Sequence, residues 1–307
     1  MNNKKIIFMG TPSISAYYLD FLIKNNFNIL SVFTQPPRKK NRGMQVHFSP
    51  VQDLAKQHNI PVHTPKRLNN DSINLIAEYK ADLIIVIAYG LIIPNEILNL
   101  PIFGCINIHL SLLPRWRGAS PIEHTLLSGD SQSGITIIKL INKLDAGPIL
   151  AQEKIIIEKE INKDDLINKL KKIGSTLLIN NLPKLFNNEI ILRNQIEQYA
   201  TYAGKINSEM RKLDFRATSI NVYNKIRAYS PSPGAWFKYK NERIKIISAK
   251  INKIKAEPQT ILNKNFEIGC LEGSISPIYL QREGKKVMSI KEFLRGFDLV
   301  VGDKLNE

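Results

Sequence analysis

The sequence predicts an α/β protein, in which a Rossmann-like, mostly parallel, doubly wound sheet is followed by a small OB-like β-barrel. The first observation is the run at 82–90, whose nearly continuous apolar character is typical of a parallel strand covered on both faces. The second is that such runs alternate with helical stretches, which indicates a doubly wound sheet. The third is a series of short β-type runs separated by turn residues after residue 230, which predicts a barrel.

The first half of the chain opens with a buried strand, Lys5–Met9, that ends at Gly10 and leads into a helix reaching Lys24. Ser13 is the predicted N-cap of this helix, because a serine hydroxyl accepts hydrogen bonds from free amides of the first turn. In a long helix predicted at 164–186, apolar residues at spacings of three and four predict a buried stripe: Leu166, Leu170, Ile173 and Leu177. The other elements predicted here are strands at 29–34, 61–63, 82–90, 105–109, 134–141 and 149–158, and helices at 50–58, 71–79 and 121–127.

Periodicity is poor between residues 187 and 206, where 199–205 looks like an extended linker. We therefore predict a sheet domain at 1–189, a linker at 190–206 and a basic OB-like domain at 207–307. The last region is predicted to hold a helix at 219–227 and strands at 235–239, 243–251, 266–270 and 274–280.

Composition places the chain among globular proteins of one or two domains. Its 307 residues, 43% of them hydrophobic, suffice to bury a core. Cys105 and Cys270 lie far apart with no Cys-x-x-Cys pattern or clustered histidine nearby, which argues against a zinc site and a secreted disulfide framework. The N-terminal apolar run is too short for a signal peptide, and no run of about 18 apolar residues occurs. We therefore expect a cytoplasmic protein with no metal and no membrane partner.

The net charge of +16 and the pI of about 9.7 favour a polyanionic partner, because Lys and Arg bind phosphates with release of counterions. The alternative explanation is a compositional bias toward Asn, Ile and Lys, which would give the same net charge without any polyanionic partner. Residues 35–44 hold four cations and no acid, and residues 207–307 hold 19 Lys or Arg against 11 Asp or Glu. Each region is therefore either a nucleic-acid contact or an ordinary solvated surface.

The segment 104–122 carries the strongest candidate for a site. Asn107 and His109 stand two residues apart at the end of an apolar strand, so both point to one face. A plain core strand would carry aliphatic residues at both positions, because a buried amide or imidazole loses its water. The chain then turns through Leu-Leu-Pro, is expected to expose residues 115–118, and begins a helix at Pro121.

Three distant segments are expected to converge on this face. Tyr89 and His109 stand at the carboxyl ends of predicted strands, and the turn holding Asp145 follows another predicted strand. Ligands of doubly wound sheets bind at the carboxyl ends of the strands. An amide can hold a carbonyl oxygen as it gains negative charge, a histidine passes protons near neutral pH, and a carboxylate orients the histidine. Asn107, His109 and Asp145 together suit acyl transfer without a covalent step, although each alone has an ordinary structural explanation.

Other chemistries have little support in the sequence. There is no Gly-x-Gly-x-x-Gly and no Walker lysine after the first strand, which disfavours a nucleotide loop. Ser111 is followed by Leu-Leu-Pro rather than by a nucleophile elbow, which disfavours a serine hydrolase. Asparagine is a poor zinc ligand and the remaining histidines lie in other segments, which disfavours a metal centre.

The pattern Asn-x-His-x-Ser-Leu-Leu-Pro-x-x-Arg-Gly at 107–118, followed by Leu-Asp-Ala-Gly at 144–147, resembles the signature of the folate-dependent formyltransferases. The resemblance covers nearly the whole chain through shorter motifs at 8–12, 33–36, 42–43, 49–51, 88–90, 134–136, 226–228, 284–289 and 293–296. The central motif is common to the family, whereas the flanking motifs, the cationic loop and the basic C-terminal region select the members that act on methionyl initiator tRNA.

The resemblance implies formyl transfer from the co-substrate 10-formyltetrahydrofolate to the α-amino group of methionine on initiator tRNA. The implied catalytic residues are Asn107 and His109, which stabilise the oxyanion, and Asp145, which holds His109 and orders a proton-relaying water. The residues implied for folate binding are Ala88, Tyr89, Gly90, Ser111, Leu112, Leu113 and Pro114. The residues implied for tRNA binding are Arg38, Lys39, Lys40, Arg42 and Lys205. Of these, Arg42 matches the family's functional arginine, while residues 37–41 depart from the family's pattern and leave the roles of single lysines open.

Alternatives stay open at this point. One is another user of 10-formyltetrahydrofolate: a purine-pathway transformylase, which lacks a C-terminal domain like this one, or a hydrolase, which usually belongs to a much longer chain. The other is a nucleic-acid-binding protein without catalysis, against which the Asn-His-Asp set argues. A monomer is expected, although the sequence itself carries no information on oligomeric state.

Overall fold

The computed structural model describes residues 3–40 and 45–305, apart from the side chains of residues 39, 40 and 45. The strands, in chain order, are β1 Lys5–Gly10, β2 Asn28–Phe33, β3 Arg38–Lys40, β4 Gln45–His47, β5 Val62–His63, β6 Leu83–Ile87, β7 Cys105–His109, β8 Arg117–Gly118, β9 Gln132–Lys139, β10 Ile149–Ile156, β11 Tyr202–Ala203, β12 Ala235–Tyr239, β13 Glu242–Asn252, β14 Ile268–Gly269, β15 Ser274–Arg282 and β16 Val287–Ser289. The helices are α1 Ser13–Lys24, α2 Pro50–Gln57, α3 Asn70–Glu78, α4 Asn95–Leu98, α5 Pro121–Leu127, α6 Lys163–Phe186, α7 Ser219–Tyr229 and α8 Ile290–Arg295, with short 3-10 helices at Glu197–Tyr199 and Glu209–Arg211.

A seven-stranded sheet forms the centre of the first half of the chain, in the order β10-β9-β7-β6-β1-β2-β5. β1 pairs in parallel with β2 and β6, and β6 pairs in parallel with β7. β9 runs antiparallel to β7, with Thr136 opposite His109. The predicted Rossmann-like, mostly parallel sheet is therefore confirmed, and the antiparallel pairing of β7 with β9 is a feature that the sequence did not indicate.

The parallel strands are apolar because both of their faces are covered. Every residue of β6 is buried, and residues 6–9 of β1 have no exposed surface. Burying one such Val or Ile side chain stabilises the fold by about 1.5–3 kcal/mol. This well-packed centre holds in place the strand ends from which the candidate site residues project.

The predicted N-cap of α1 is wrong. Ser13 is the first helical residue, and Pro12, in an extended conformation, occupies the cap position without a side-chain hydrogen bond. Ser15, buried in the first turn, donates its hydroxyl to the carbonyl of Ile87 at 2.6 Å. A serine at this helix start therefore attaches α1 to the end of β6 instead of capping the helix.

The predicted apolar stripe of α6 is only partly right, because Ile173 and Leu177 are half-buried. The buried positions recur at every fourth residue and include a glycine: Leu166, Leu170, Gly174, Leu178 and Leu182. A Cβ at Gly174 would lie 2.1 Å from the hydroxyl oxygen of Tyr18 on α1. The helix therefore packs by close backbone approach at this point, which hydrophobic spacing alone does not reveal.

The C-terminal region contains an antiparallel sheet in the order β12-β13-β15-β14, with β16 paired to β15. The pairing of β13 with β15 is irregular around Ser248, and such irregularities increase the local bend and twist of a strand. The sheet encloses a cluster of aromatic rings: Phe215, Phe237, Tyr239, Phe266, Phe293 and Phe297. The predicted OB-like fold of the C-terminal region is confirmed, in the form of a curled antiparallel half-barrel.

Packing divides the chain into two units, each built from several segments. The first comprises 1–117, 134–155 and 169–202, and the second comprises 118–133, 156–168 and 203–307. The predicted domains are instead single continuous stretches of the chain, 1–189 and 207–307, and their boundaries stay a prediction. The predicted linker holds a 3-10 helix at Glu197–Tyr199, and its Arg193 pairs with Ile149. Within residues 3–40 and 45–305, no helix is long and apolar enough to cross a bilayer.

Candidate active site

Asn107 and His109 lie at the end of β7 with their side chains on the same face, as alternation along a strand requires. Asn107 is half-buried, and the side chain of His109 is 6% exposed. Polar groups at this depth are stable only when they find hydrogen-bond partners. The partners of these two side chains therefore determine what the site can do.

The carbonyl of Trp116 fixes the protonation pattern of His109. Nε2 of the imidazole lies 2.7 Å from that carbonyl oxygen, which can only accept a hydrogen bond, so Nε2 carries a proton. Nδ1 is then the nitrogen that gains and loses a proton. It lies 3.6 Å from Oδ2 of Asp145, so a protonated Nδ1 faces a carboxylate.

The backbone that presents this carbonyl is itself held in place. Trp116 has a φ of 65°, an unusual left-handed conformation for a bulky residue. Its amide donates to Oγ1 of Thr201 at 2.9 Å, and the next amide, of Arg117, donates to the carbonyl of Thr201 at 2.8 Å. Strained backbone of this kind persists only where its surroundings define it, and it is frequent at functional sites.

Asp145 reaches the site by a route different from the predicted one. Because β9 is antiparallel to β7, its last residue, Lys139, lies beside Ile106 rather than at the His109 end. The chain after β9 folds back, so that the amide of Lys139 donates to the carbonyl of Pro148 at 3.0 Å. The expectation that Asp145 follows the carboxyl end of a parallel strand is therefore wrong, although its side chain does meet that of His109.

The Asp145 carboxylate lies between the other two polar groups of the site. Nδ2 of Asn107 donates to Oδ1 at 3.5 Å, and Nδ1 of His109 lies 3.6 Å from Oδ2. The Asp145 side chain is 12% exposed, so solvent reaches one edge of the group.

The segment after β7 is shaped by internal hydrogen bonds. Oγ of Ser111 donates to the carbonyl of Arg115 at 2.6 Å, and Oγ1 of Thr136 donates to the carbonyl of Ser111 at 2.6 Å. Nε2 of Gln152 donates to the carbonyl of Leu113 and to Oγ1 of Thr136, both at 2.9 Å. The Ser111 hydroxyl therefore stabilises the loop, and its hydrogen is already donated to the carbonyl of Arg115.

The seven residues that the resemblance implies for folate differ in accessibility. The buried ones are Tyr89, Ser111 and Leu113, and the partly or fully exposed ones are Ala88, Gly90, Leu112 and Pro114. Tyr89 packs into the hydrophobic core, where burial raises the pKa of its phenol. Its carbonyl accepts hydrogen bonds from Oγ1 of Thr11 at 2.9 Å and from Nε2 of Gln35 at 3.2 Å. Since β6 and β7 are parallel neighbours, the segments that follow them lie at one edge of the sheet.

The predicted exposure of residues 115–118 is wrong for Arg117, and the other three residues are only half-exposed. Arg117 is 1% exposed, and its guanidinium is bonded to side chains that lie about 80 residues further along the chain, Gln195 and Glu197. The supporting roles of Thr201 and Gln152 were also not predicted. No periodic pattern or motif marks these residues, so their roles emerge only from the fold.

The cations implied for tRNA binding are only partly described. Arg38 is exposed and its guanidinium donates to Oε1 of Gln35, which ties it to the Tyr89 carbonyl. Arg42 lies outside the described residues, as do the side chains of residues 39 and 40. Lys205 is exposed within the second unit. The tRNA-binding assignment of these cations stays a prediction.

The site combines an oriented amide donor, an imidazole with a single exchanging nitrogen, and a carboxylate that faces both. Among the described residues, no group of three or more His, Cys, Asp or Glu side chains is arranged to hold a metal ion. Such a set of groups on a Rossmann-like sheet suits an enzyme of the group-transfer class, in which an acyl group passes directly between two substrates.

The chain belongs to the formyl transferase family. The family model described as formyl transferase matches residues 4–182, and the model described as formyl transferase, C-terminal domain, matches residues 205–298. The methionyl-tRNA formyltransferase of Rickettsia bellii is 41% identical over 304 residues, which are 98% of this chain and 99% of the relative. The methionyl-tRNA formyltransferase of Pelagibacter ubique is 38% identical over 305 residues, covering 98% of each chain.

Solved structures share the fold at lower sequence identity. An N-formyltransferase from Helicobacter canadensis, in complex with folinic acid and dTDP-3-aminofucose, superposes with a TM-score of 0.68 at 20% identity and covers 89% of this chain and 99% of its own. HypX from Aquifex aeolicus, in complex with tetrahydrofolic acid, gives a TM-score of 0.66 at 17% identity and covers 100% of this chain and 51% of its own. At these identities the similarity demonstrates a common fold.

Proposed function

We propose that the protein transfers the formyl group of 10-formyltetrahydrofolate to the α-amino group of methionine esterified to initiator tRNA, which gives formylmethionyl-tRNA for translation initiation. Relatives that carry this activity in their names match 98% of the chain at 38% and 41% identity. The observation that carries the chemistry is the placement of the Asp145 carboxylate between Asn107 and His109.

Asn107 is the oxyanion donor. Its amide nitrogen has two hydrogens, of which one is directed to Asp145 at 3.5 Å and the other is available for the formyl oxygen. As the amine attacks, that oxygen gains negative charge, and a fixed donor in a dry site stabilises it by about 3–4 kcal/mol. Because Asp145 orients the amide beforehand, little reorganisation is required during the reaction.

His109 and Asp145 assist the proton transfer between the attacking and the leaving nitrogen. The reaction forms a bond from the methionine nitrogen to the formyl carbon, breaks the bond from that carbon to N10 of the folate, and moves one proton from the attacking to the leaving nitrogen. Nδ1 of His109 is the exchanging nitrogen, and its protonated form also stabilises the oxyanion. Asp145 holds the imidazole and orders the water through which the proton passes.

The amine needs placement more than activation. An α-amino group has a pKa of about 8 in model peptides, so a sizeable neutral fraction is present at neutral pH. Holding that nitrogen against the formyl carbon removes most of the entropic barrier of a two-substrate reaction. The enzyme therefore works without a strong general base.

The folate binds against residues 88–90 and 111–114, and when bound it supplies an activated formyl group. In support of this placement, Ala88 and Gly90 are exposed beyond β6, while Leu112 and Pro114 are partly exposed beyond β7. Both segments are held by hydrogen bonds to side chains, which gives a planar ligand a firm surface.

The tRNA is held by the cations of residues 38–44 and of the C-terminal region, with Arg42 entering the acceptor stem. The net charge of +16 supports this role, because phosphate contacts supply affinity without sequence information. The protein acts as a monomer in the cytoplasm, where initiator tRNA is charged and used.

One assay tests the proposal. The protein is supplied with 10-formyltetrahydrofolate and, in separate reactions, with methionyl initiator tRNA, with glycinamide ribonucleotide, or with water alone, and the formylated product is measured. We expect formylation of the charged tRNA only. Formyl transfer to the ribonucleotide, or release of formate at an equal rate without acceptor, would assign the chain to another branch of the family.

A further inference from the structure

The side chain of Arg117 is a buried charge whose donors are occupied by two residues of one distant segment. Its Nε and Nη2 donate to Oε1 of Gln195 at 3.1 and 3.0 Å. Its Nη1 donates to both carboxylate oxygens of Glu197, at 3.1 and 3.0 Å. Because desolvating a guanidinium is costly, this arrangement is stable only with such partners in place. Arg117 therefore fixes the position of Gln195.

Gln195, held in this way, forms hydrogen bonds to the turn that carries Asp145. Its Nε2 donates to the carbonyl of Asp145 at 2.7 Å and to the carbonyl of Gly147 at 2.8 Å. The orientation of the amide is unambiguous, since its oxygen faces the donors of Arg117 and its nitrogen faces two acceptors. Both hydrogens of one side-chain amide are thus used to hold the turn.

The turn needs this support because its conformation is not one that the chain adopts readily. Asp145 has a φ of 46°, in the left-handed region that costs energy for residues other than glycine. The turn also packs directly on β9, where a Cβ at Gly147 would lie 1.7 Å from the carbonyl oxygen of Lys139. The backbone of the turn is therefore held both by its contact with β9 and by the amide of Gln195.

We propose that Gln195 and Arg117 are positioning residues for formyl transfer, which act by holding the Asp145 turn so that its carboxylate meets both His109 and Asn107. This inference rests on the proposed function, because the role of Asp145 comes from it. Neither residue touches the reacting atoms in this scheme. Their effect is on kcat, through the geometry of the Asp145 carboxylate, and not on substrate affinity.

The substitution Gln195→Glu keeps the hydrogen bonds that Gln195 accepts from Arg117 and removes those that it donates to the Asp145 turn. A carboxylate of the same shape still accepts both hydrogen bonds from Arg117, so the buried charge keeps its partner. The new carboxylate cannot donate a hydrogen bond to the carbonyls of Asp145 and Gly147. These two carbonyl oxygens then face a negatively charged group. An ångström-scale misplacement of a catalytic group costs about 100-fold in rate, and we expect kcat to fall by about 10- to 100-fold. KM for tRNA and for the folate is expected to change by less than about twofold.

The substitution Gln281→Glu is the matched control. Nε2 of Gln281 also donates to a backbone carbonyl, that of Lys285, at 2.9 Å, but on the surface of the second unit. The variant loses the same kind of hydrogen bond and gains the same charge. We expect its kcat to equal that of the wild type within about twofold.

A double-mutant cycle with Asp145→Ala distinguishes positioning from a general structural effect. If Gln195 acts through Asp145, adding Gln195→Glu to Asp145→Ala lowers the single-turnover rate no further. A wild-type kcat for Gln195→Glu, a loss confined to KM, or fully additive losses in the cycle would overturn the inference. If Gln195→Glu does not fold, as judged by circular dichroism, the same measurements on Arg117→Lys decide the question. Failure of the wild type to formylate the tRNA would instead refute the proposed function.

Discussion

Replacing Gly147 by alanine is expected to slow formyl transfer by about 100-fold while leaving the protein folded. The new Cβ would lie 1.7 Å from the carbonyl oxygen of Lys139, whereas real Cβ atoms essentially never approach closer than 3.0 Å, so the turn has to retreat by about 1.3 Å. Asp145 is two residues away, and its carboxylate already lies 3.6 Å from Nδ1 of His109. A shift of this size costs about 100-fold in kcat, which corresponds to about 2.7 kcal/mol in the activation barrier.

The assay is single-turnover formylation of methionyl initiator tRNA, with the melting temperature and the folate Kd measured in parallel. Gly296→Ala is the control, because a Cβ at Gly296 meets no heavy atom within 4 Å and its backbone is not left-handed. We expect the control to retain full activity. A folded Gly147→Ala protein with kcat within about threefold of the wild type would show that the position of the Asp145 turn does not govern the reaction.

Three further expectations concern catalysis, tRNA binding and pH. His109→Ala and Asp145→Ala should each lower kcat by about 100-fold or more with a nearly unchanged Kd for tRNA in filter binding, and an unchanged kcat would exclude these roles. Binding of tRNA should weaken by about 10³-fold between 50 and 200 mM salt if about six phosphates are contacted, whereas a flat dependence would mean that the basic surface is not used. Burial raises the pKa of the Cys105 and Cys270 thiols to about 12, so neither should react with a thiol reagent at pH 8 before unfolding. Because the unfolded thiols ionise near pH 9.0 while the folded ones stay protonated, their contribution to stability is complete below that pH and is lost as the pH rises toward about 12.

The local features of the candidate site were predictable from the sequence because they depend on short-range rules. Asn107 and His109 stand two residues apart, and a strand necessarily places both on one face. The buried strand β6 was visible because burial on both faces demands a continuous apolar run. The helix that begins at Pro121 was also predictable, since the first helical turn tolerates a residue without an amide hydrogen.

Most of the features that the sequence did not predict join residues that are far apart in the chain. The antiparallel direction of β9 depends on how a connection crosses the sheet, and hydrophobic pattern does not encode direction. Gln195 lies 50 residues from Asp145 in a segment without periodicity, and Arg117 lies 78 residues from Gln195. A side-chain amide has the same appearance in a sequence whether it faces solvent or two buried carbonyls.

The sequence alone thus predicted the candidate catalytic groups of this protein, because an amide, an imidazole and a carboxylate keep their reactivity wherever the fold places them. It also determined the architecture of both halves, since strand and helix periods reflect burial. Only the tertiary structure decided that Trp116 fixes the exchanging nitrogen of His109 and that Gln195 and Arg117 confine the Asp145 turn. These are distances between groups that meet only after folding, and no local pattern carries that information.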